Sequence, residues 1–221
     1  GTQLDAAVLC NCAYACRLHG APGRTLEVGS IFLERYGSTG SAGYRYKGMV
    51  LIHMASAHEA LKEWDAAASC FDQAIAFGRS EGNLALAAMA TVDRAYIELL
   101  REGKAAVGTC QQMLREVAPE HLDQRGRFAF RAVNALLLEQ QGSFKEADEM
   151  AVSALSAASE VDEALVHERA VVLVLRARLA FFQGNIADGV LMGLEAAVAF
   201  EETNDLDRLH ECEALLRKVL S

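Results

Sequence analysis

Proline and aromatic residues are scarce in this chain, and runs of β-branched residues are nearly missing. Two prolines, Pro22 and Pro119, occur in 221 residues, so long segments can keep their i→i−4 hydrogen bonds unbroken. Without alternating Val, Ile and Thr there is no pattern on which to build a sheet. No apolar run approaches the roughly 20 residues that span a bilayer, so no membrane partner is expected. The start, Gly-Thr-Gln-Leu-Asp-Ala-Ala, has neither the basic region nor the cleavage site of a signal peptide and reads as the approach to a helix. The six cysteines, Cys10, Cys12, Cys16, Cys70, Cys110 and Cys212, are scattered and suggest no disulfide framework. A reducing cytoplasm is the expected location. Positive charge is not in excess either: the formal net charge is −9, with 11 acidic against 10 basic residues over 1–110 and 19 against 11 over 111–221. Such a balance disfavours a phosphate-neutralising surface, so direct nucleic-acid binding is not expected.

Present in abundance are Ala, Leu, Glu, Gln and Arg, which favour helices. Within residues 51–75, apolar positions recur at three- and four-residue spacing on both sides of a break near Lys62–Asp65, the pattern of a helical hairpin. Residues 137–155 and 177–198 repeat it. In register, a small residue sits on each first helix at Ala55, Ala135 and Ala177, and a turn follows seven residues later at Lys62, Gly142 and Gly184. A second small residue opens the next helix at Ala67, Ala147 and Gly189, followed by Phe71/Ala74, Ala151/Ala154 and Gly193/Ala196. Small residues are needed wherever two helices of one hairpin cross closely. A looser first copy runs through Ala13, Gly20, Thr25, Gly29 and Phe32, and a looser third through Ala95, Ala106, Cys110 and Met113. Short polar or glycine-containing separators are expected at 37–43, 79–83, 118–127, 159–162 and 203–205. The period is about 40 residues, and the amphipathic segment 206–220 suits a capping helix. The expectation is an all-α chain forming one domain over 1–221, an α-solenoid of about five helical hairpins plus a C-terminal cap.

These offsets resemble the tetratricopeptide repeat, although the period exceeds the usual 34 residues and most of the family's tryptophan, tyrosine and proline positions are missing. Helices of this length are similar to those in sensor domains of bacterial transcriptional regulators of the maltose-regulon-activator type. The resemblance implies a right-handed solenoid and a cytoplasmic binding module, part of a larger bacterial regulator. Its concave face, lined by first helices, would take a protein, a peptide or a small-molecule effector.

The register turns Tyr14, Arg17, Ser56, Glu59, Tyr96, Leu136, Glu139, Arg178 and Phe181 toward that face, with Arg94, Arg131 and Arg176 nearby. This mixture of apolar anchors and charged groups suits a peptide groove, or else an ordinary solvated face with snorkelling arginines. No catalytic motif occurs: His58-Glu59-Ala60-Leu61-Lys62 is not a zinc-protease H-E-x-x-H, and Gly37–Gly43 lacks the Lys-Ser/Thr of a phosphate-binding loop. That segment reads as a flexible linker. No enzyme activity and no cofactor are expected. Cys12, Cys16 and His19 share a helical face and are weak candidates for zinc ligands. The competing reading makes Leu9, Cys12, Ala13 and Cys16 a packing ridge, with Cys10 pointing away. A structural alternative is self-association through Leu215, Leu216, Val219 and Leu220 near the end of the last helix.

Overall fold

The computed structural model describes residues 2–158, 166–203 and 205–220, and among them there is no strand. The first helix, α1 (Gln3–Leu18), opens on a capping box. The Asp5 N–H donates to Thr2 Oγ1 at 3.2 Å, and the Thr2 N–H donates to Asp5 Oδ2 at 2.8 Å. Two otherwise orphaned donors are thereby satisfied. α2 (Pro22–Tyr36) carries Pro22 at its first position, where the missing N–H costs nothing. Then come α3 (Lys47–Ala60), α4 (Trp64–Ser80), α5 (Leu84–Glu102), α6 (Val107–Arg115), α7 (Gln124–Gln141), α8 (Phe144–Ala158), α9 (Val166–Phe182), α10 (Ile186–Glu202) and α11 (Leu206–Leu220). The expected separator 159–162 lies outside the described residues.

Two compact units emerge from the contacts: Gly1–Glu102 with Gln112–His121, and Gly103–Gln111 with Leu122–Ser221. Inside the first, α1 packs on α2, α2 on α3, α3 on α4 and α4 on α5. Inside the second, α7 packs on α8, α8 on α9, α9 on α10 and α10 on α11. Helices two apart also touch, α1 with α3 and α3 with α5 in the first unit, α7 with α9 and α9 with α11 in the second. Phe32 and Phe71 are fully buried in the first unit, Phe128 and Phe200 in the second. Each such ring contributes roughly 2–3 kcal/mol relative to exposure.

One turn recurs at Gly20, Lys62, Gly142 and Gly184, all left-handed, with φ of +62°, +59°, +81° and +80°. The residue after each reaches back five positions: Ala21 N–H to the Cys16 carbonyl, Glu63 to His58, Ser143 to Leu138 and Asn185 to Ala180, at 2.8–3.0 Å. This is the Schellman closure, which satisfies carbonyls at a helix end and reverses the chain in a few residues. The small residues of the register are buried beside it: Ala13, Ala55, Ala135 and Ala177 on the first helices, Thr25, Ala67, Ala147 and Gly189 on the second. Thr25 fits among alanines because its hydroxyl donates to the Ala21 carbonyl at 3.1 Å. Sequence reading missed a further copy of the turn at Gly82 (φ +68°), where the Asn83 N–H donates to the Gly78 carbonyl at 2.8 Å. The Gly82-Asn83 pair five residues ahead of buried Ala87 was its signal.

Three expectations need correction. Ala106 does not open a helix, because Gly103–Ala106 is a 3-10 turn and α6 starts after it. The stretch 37–43 is not simply a flexible linker: Gly43 is buried, and a Cβ there would lie 2.3 Å from that of Ala6. The separator 118–127 contains a 3-10 turn at Pro119–His121 and the first turn of α7, capped by Asp123.

Candidate functional site

In the first unit the best-developed cluster of predicted site residues joins α1 to α3. Tyr14 is half-buried, and its ring centroid lies 5.4 Å from that of buried His53, tilted by 39°. The Arg17 guanidinium carbon stands 5.4 Å from the Tyr14 ring centroid, one turn along the same helix. At this distance the cation meets the negative face of the ring. Ser56 spends its hydroxyl on the Ile52 carbonyl at 3.1 Å, within α3. Glu59 is half-buried near the end of α3, and Tyr96, on α5, packs half-buried against the core of this unit. Arg94, on the same helix, ion-pairs with Asp72 at 3.3 Å and with Glu98. His53, which sequence reading did not place in the site, was visible only as a histidine three residues ahead of Ser56.

In the second unit the predicted residues bind one another. Arg178 grips Glu139 with two parallel bonds of 2.8 Å, from Nε to Oε1 and from Nη2 to Oε2, joining α9 to α7. The Glu139 side chain is 8% exposed and that of Arg178 36%. The planar fork of arginine matches a carboxylate in this two-bond geometry. The register turned both toward the groove, and here each is bonded to the other. Arg176 likewise pairs with Asp148 at 2.8 Å, and Arg131 donates to the Ser153 carbonyl at 3.2 Å. Leu136 is half-buried, as is Phe181, which lies over Gly189: a Cβ at 189 would fall 2.3 Å from its ring.

The cysteine cluster divides differently from its expected register. Cys10 is buried, while Cys12 and His19 are exposed and Cys16 is intermediate. Burial pushes the Cys10 thiol up from its ordinary range. Among the described residues no three of His, Cys, Asp and Glu come together to hold a metal ion. At the far end of the chain Leu216 is buried, its side chain filling the space over Gly193. It is core, and the self-association surface expected there loses its central residue.

A cleft of about 300 Å³ in the first unit is lined by Asp72, Ile75, Ala76, Arg79, Thr91, Met113 and Glu116. Arg79 and Glu116 close an ion pair at 2.9 Å on its wall and neutralise each other. No described helix is long and apolar enough to cross a membrane. Among known proteins, no family model matches the chain, and no curated protein matches it in sequence.

Proposed function

We propose that the chain is a protein- or peptide-binding module, an α-solenoid of tetratricopeptide-like hairpins ending in α11 as a cap. It recognises its partner with the faces of its first helices and serves within a larger bacterial regulator in the cytoplasm. One observation carries the reading. In each unit the odd-numbered helices touch one another, α1 with α3 and α3 with α5, then α7 with α9 and α9 with α11. Such contacts set their faces side by side, as the inner row of a solenoid requires. The recurrent turn and the small buried residues beside it support the repeat.

The first unit is the better binding face. Tyr14, Arg17 and Tyr96 offer aromatic and guanidinium groups of the kind that dominate protein interfaces. The second unit is closed by its own ion pairs, Glu139 with Arg178 and Asp148 with Arg176. Its charges set the packing of α7, α8 and α9 rather than the choice of partner.

A photoreactive phenylalanine placed at Tyr14 and at Tyr96 tests the reading. Both positions should cross-link the same discrete partner in lysate of the source cell. The same group at Gln73, exposed on α4, should not. Labelling at Gln73 equal to that at the other two, or no product from either tyrosine position, counts against a binding face on the odd-numbered helices.

A further inference from the structure

α10 carries Asp188, Glu195, Glu201 and Glu202 and not one lysine or arginine. All four carboxylates are exposed, and none pairs with a cation among the described residues. Elsewhere in its unit Glu139, Asp148 and Glu168 each hold an arginine. The helix buries Gly189, Gly193, Ala196 and Phe200. On the opposite side an apolar stripe faces outward: Leu191 is 66% exposed, Leu194 52% and Val198 55%. These stand at i, i+3 and i+7, one continuous ridge. By the 3.6-residue period, Asp188, Glu195 and Glu202 run along one flank of the ridge and Glu201 along the other. Solvent-facing positions of a helix do not need leucine, because alanine or glutamate would hold the helix as well.

We infer that this outward face of α10 docks a basic amphipathic helix of a partner protein. The apolar ridge supplies the anchors of helix-on-helix recognition, and the carboxylates along it choose lysine or arginine on the partner's flanks. A second copy of the chain does not fit, because the same face turned on itself would set four carboxylates against four. An anionic membrane surface is disfavoured by the same charge. The site lies on α10 and not on the odd-numbered helices, so either site can fail without the other.

The test uses an 18-residue labelled peptide with leucines at helical i, i+3, i+4 and i+7 spacing and lysines on both flanks. Controls are a scrambled version and a version with glutamate flanks, all titrated with the full chain by fluorescence anisotropy. The lysine peptide should bind at least about tenfold tighter than either control, with the gap over the glutamate version narrowing as salt rises. Leu191→Ser with Leu194→Ser should weaken it by about tenfold while the helical circular dichroism stays unchanged. Glu195→Lys with Glu202→Lys leaves Asp188 and Glu201 against two lysines along the ridge and should abolish the preference for lysine over glutamate flanks. Equal binding of all three peptides, binding of none, or a preference that survives the charge reversal overturns the inference. So does a concentration-dependent dimer that the serine pair dissolves, which would make a second copy the occupant. Tighter binding to phosphatidylserine vesicles than to the lysine peptide would overturn it as well.

Discussion

Lys62→Gly should be more stable than Lys62→Ala, although both delete the lysine side chain. Lys62 stands at φ +59° in a turn whose counterparts are glycines, Gly20 at +62° being in the same unit. A residue with a Cβ pays about 1–2 kcal/mol to hold this left-handed conformation. Glycine removes that cost but returns about 0.4–1 kcal/mol through the larger entropy of its unfolded chain. The net gain of glycine over alanine at this position is about 0.5–1 kcal/mol, or roughly 1–4 °C in Tm for a chain of this size. Lys62→Ala separates the two contributions, because it removes the side chain and keeps the strain. Gly20→Ala is the mirror experiment. A Cβ at Gly20 has nothing within 4 Å, so only the backbone term changes, and stability should fall by about the same 0.5–1 kcal/mol. Thermal melts followed by circular dichroism give all three values. If Lys62→Gly is no more stable than Lys62→Ala, or Gly20→Ala is neutral, the turn is not held in the left-handed region and the reasoning fails.

Breaking the Glu139–Arg178 pair should be asymmetric. Arg178→Ala strands a carboxylate that is 8% exposed, whereas Glu139→Ala leaves an arginine 36% exposed that can turn to water. Chemical denaturation should show a loss of about 2–3 kcal/mol for the first and about 1 kcal/mol for the second. Thiol labelling followed by mass spectrometry should modify exposed Cys12 first. Buried Cys10, Cys70 and Cys212, whose thiols burial raises, should lag by roughly tenfold or more. Gly48→Ala should cost about 1–3 kcal/mol in a thermal melt, by overpacking. Its Cβ would lie 2.2 Å from Leu86 Cδ2 and 2.9 Å from Phe77 Cδ1, both in buried side chains. The hydrogen bonds from the backbone and side chain of Thr2 hold the Asp5 carboxyl below its ordinary value of 3.8. The capping box is then complete above that pH and is lost as pH falls through the lowered value. Protection of the first-turn amides of α1, taken as exchange relative to the intrinsic rate at each pH, should be lost only in that acid range.

What was legible in the sequence is what sterics dictates one residue at a time. Ala13, Ala55, Ala135 and Ala177 could be registered on one another because a helix crossing leaves no room for anything larger, and each is wholly buried. The turns at Gly20, Gly142 and Gly184 were legible because glycine alone takes their backbone angles freely. Lys62 was placed by register in spite of its side chain. The looser third copy was not legible in detail, since its left-handed glycine, Gly103 (φ +53°), stands three residues before Ala106 inside a 3-10 segment and not five before. Facing was the harder problem. Cys12 adjoins Ala13 in sequence and was assigned to its ridge, yet a neighbour on a helix is turned by about 100°, while Cys10, three back, is turned by only about 60°. Cys10 therefore shares the buried face with Ala13, and Cys12 looks outward.

The charged residues show a different limit. Glu139 and Arg178 stand three positions, about one helical turn, apart in the register on successive first helices, and their opposite signs were a usable signal for a pair. Read one helix at a time, each looked like a group waiting for a partner. Leu216 is the converse case, an apolar residue whose burial depends on a side chain that is missing, that of Gly193. A single helix reports which of its faces is apolar, but the neighbour decides whether that face is covered. α11 has such a neighbour in α10, and its Leu216 disappears into it. α10 spends its glycine face on that contact and keeps its leucines, Leu191 and Leu194, for the outside. Leucine on a face turned from the core, with carboxylates along it, is a pattern that packing within the chain does not require.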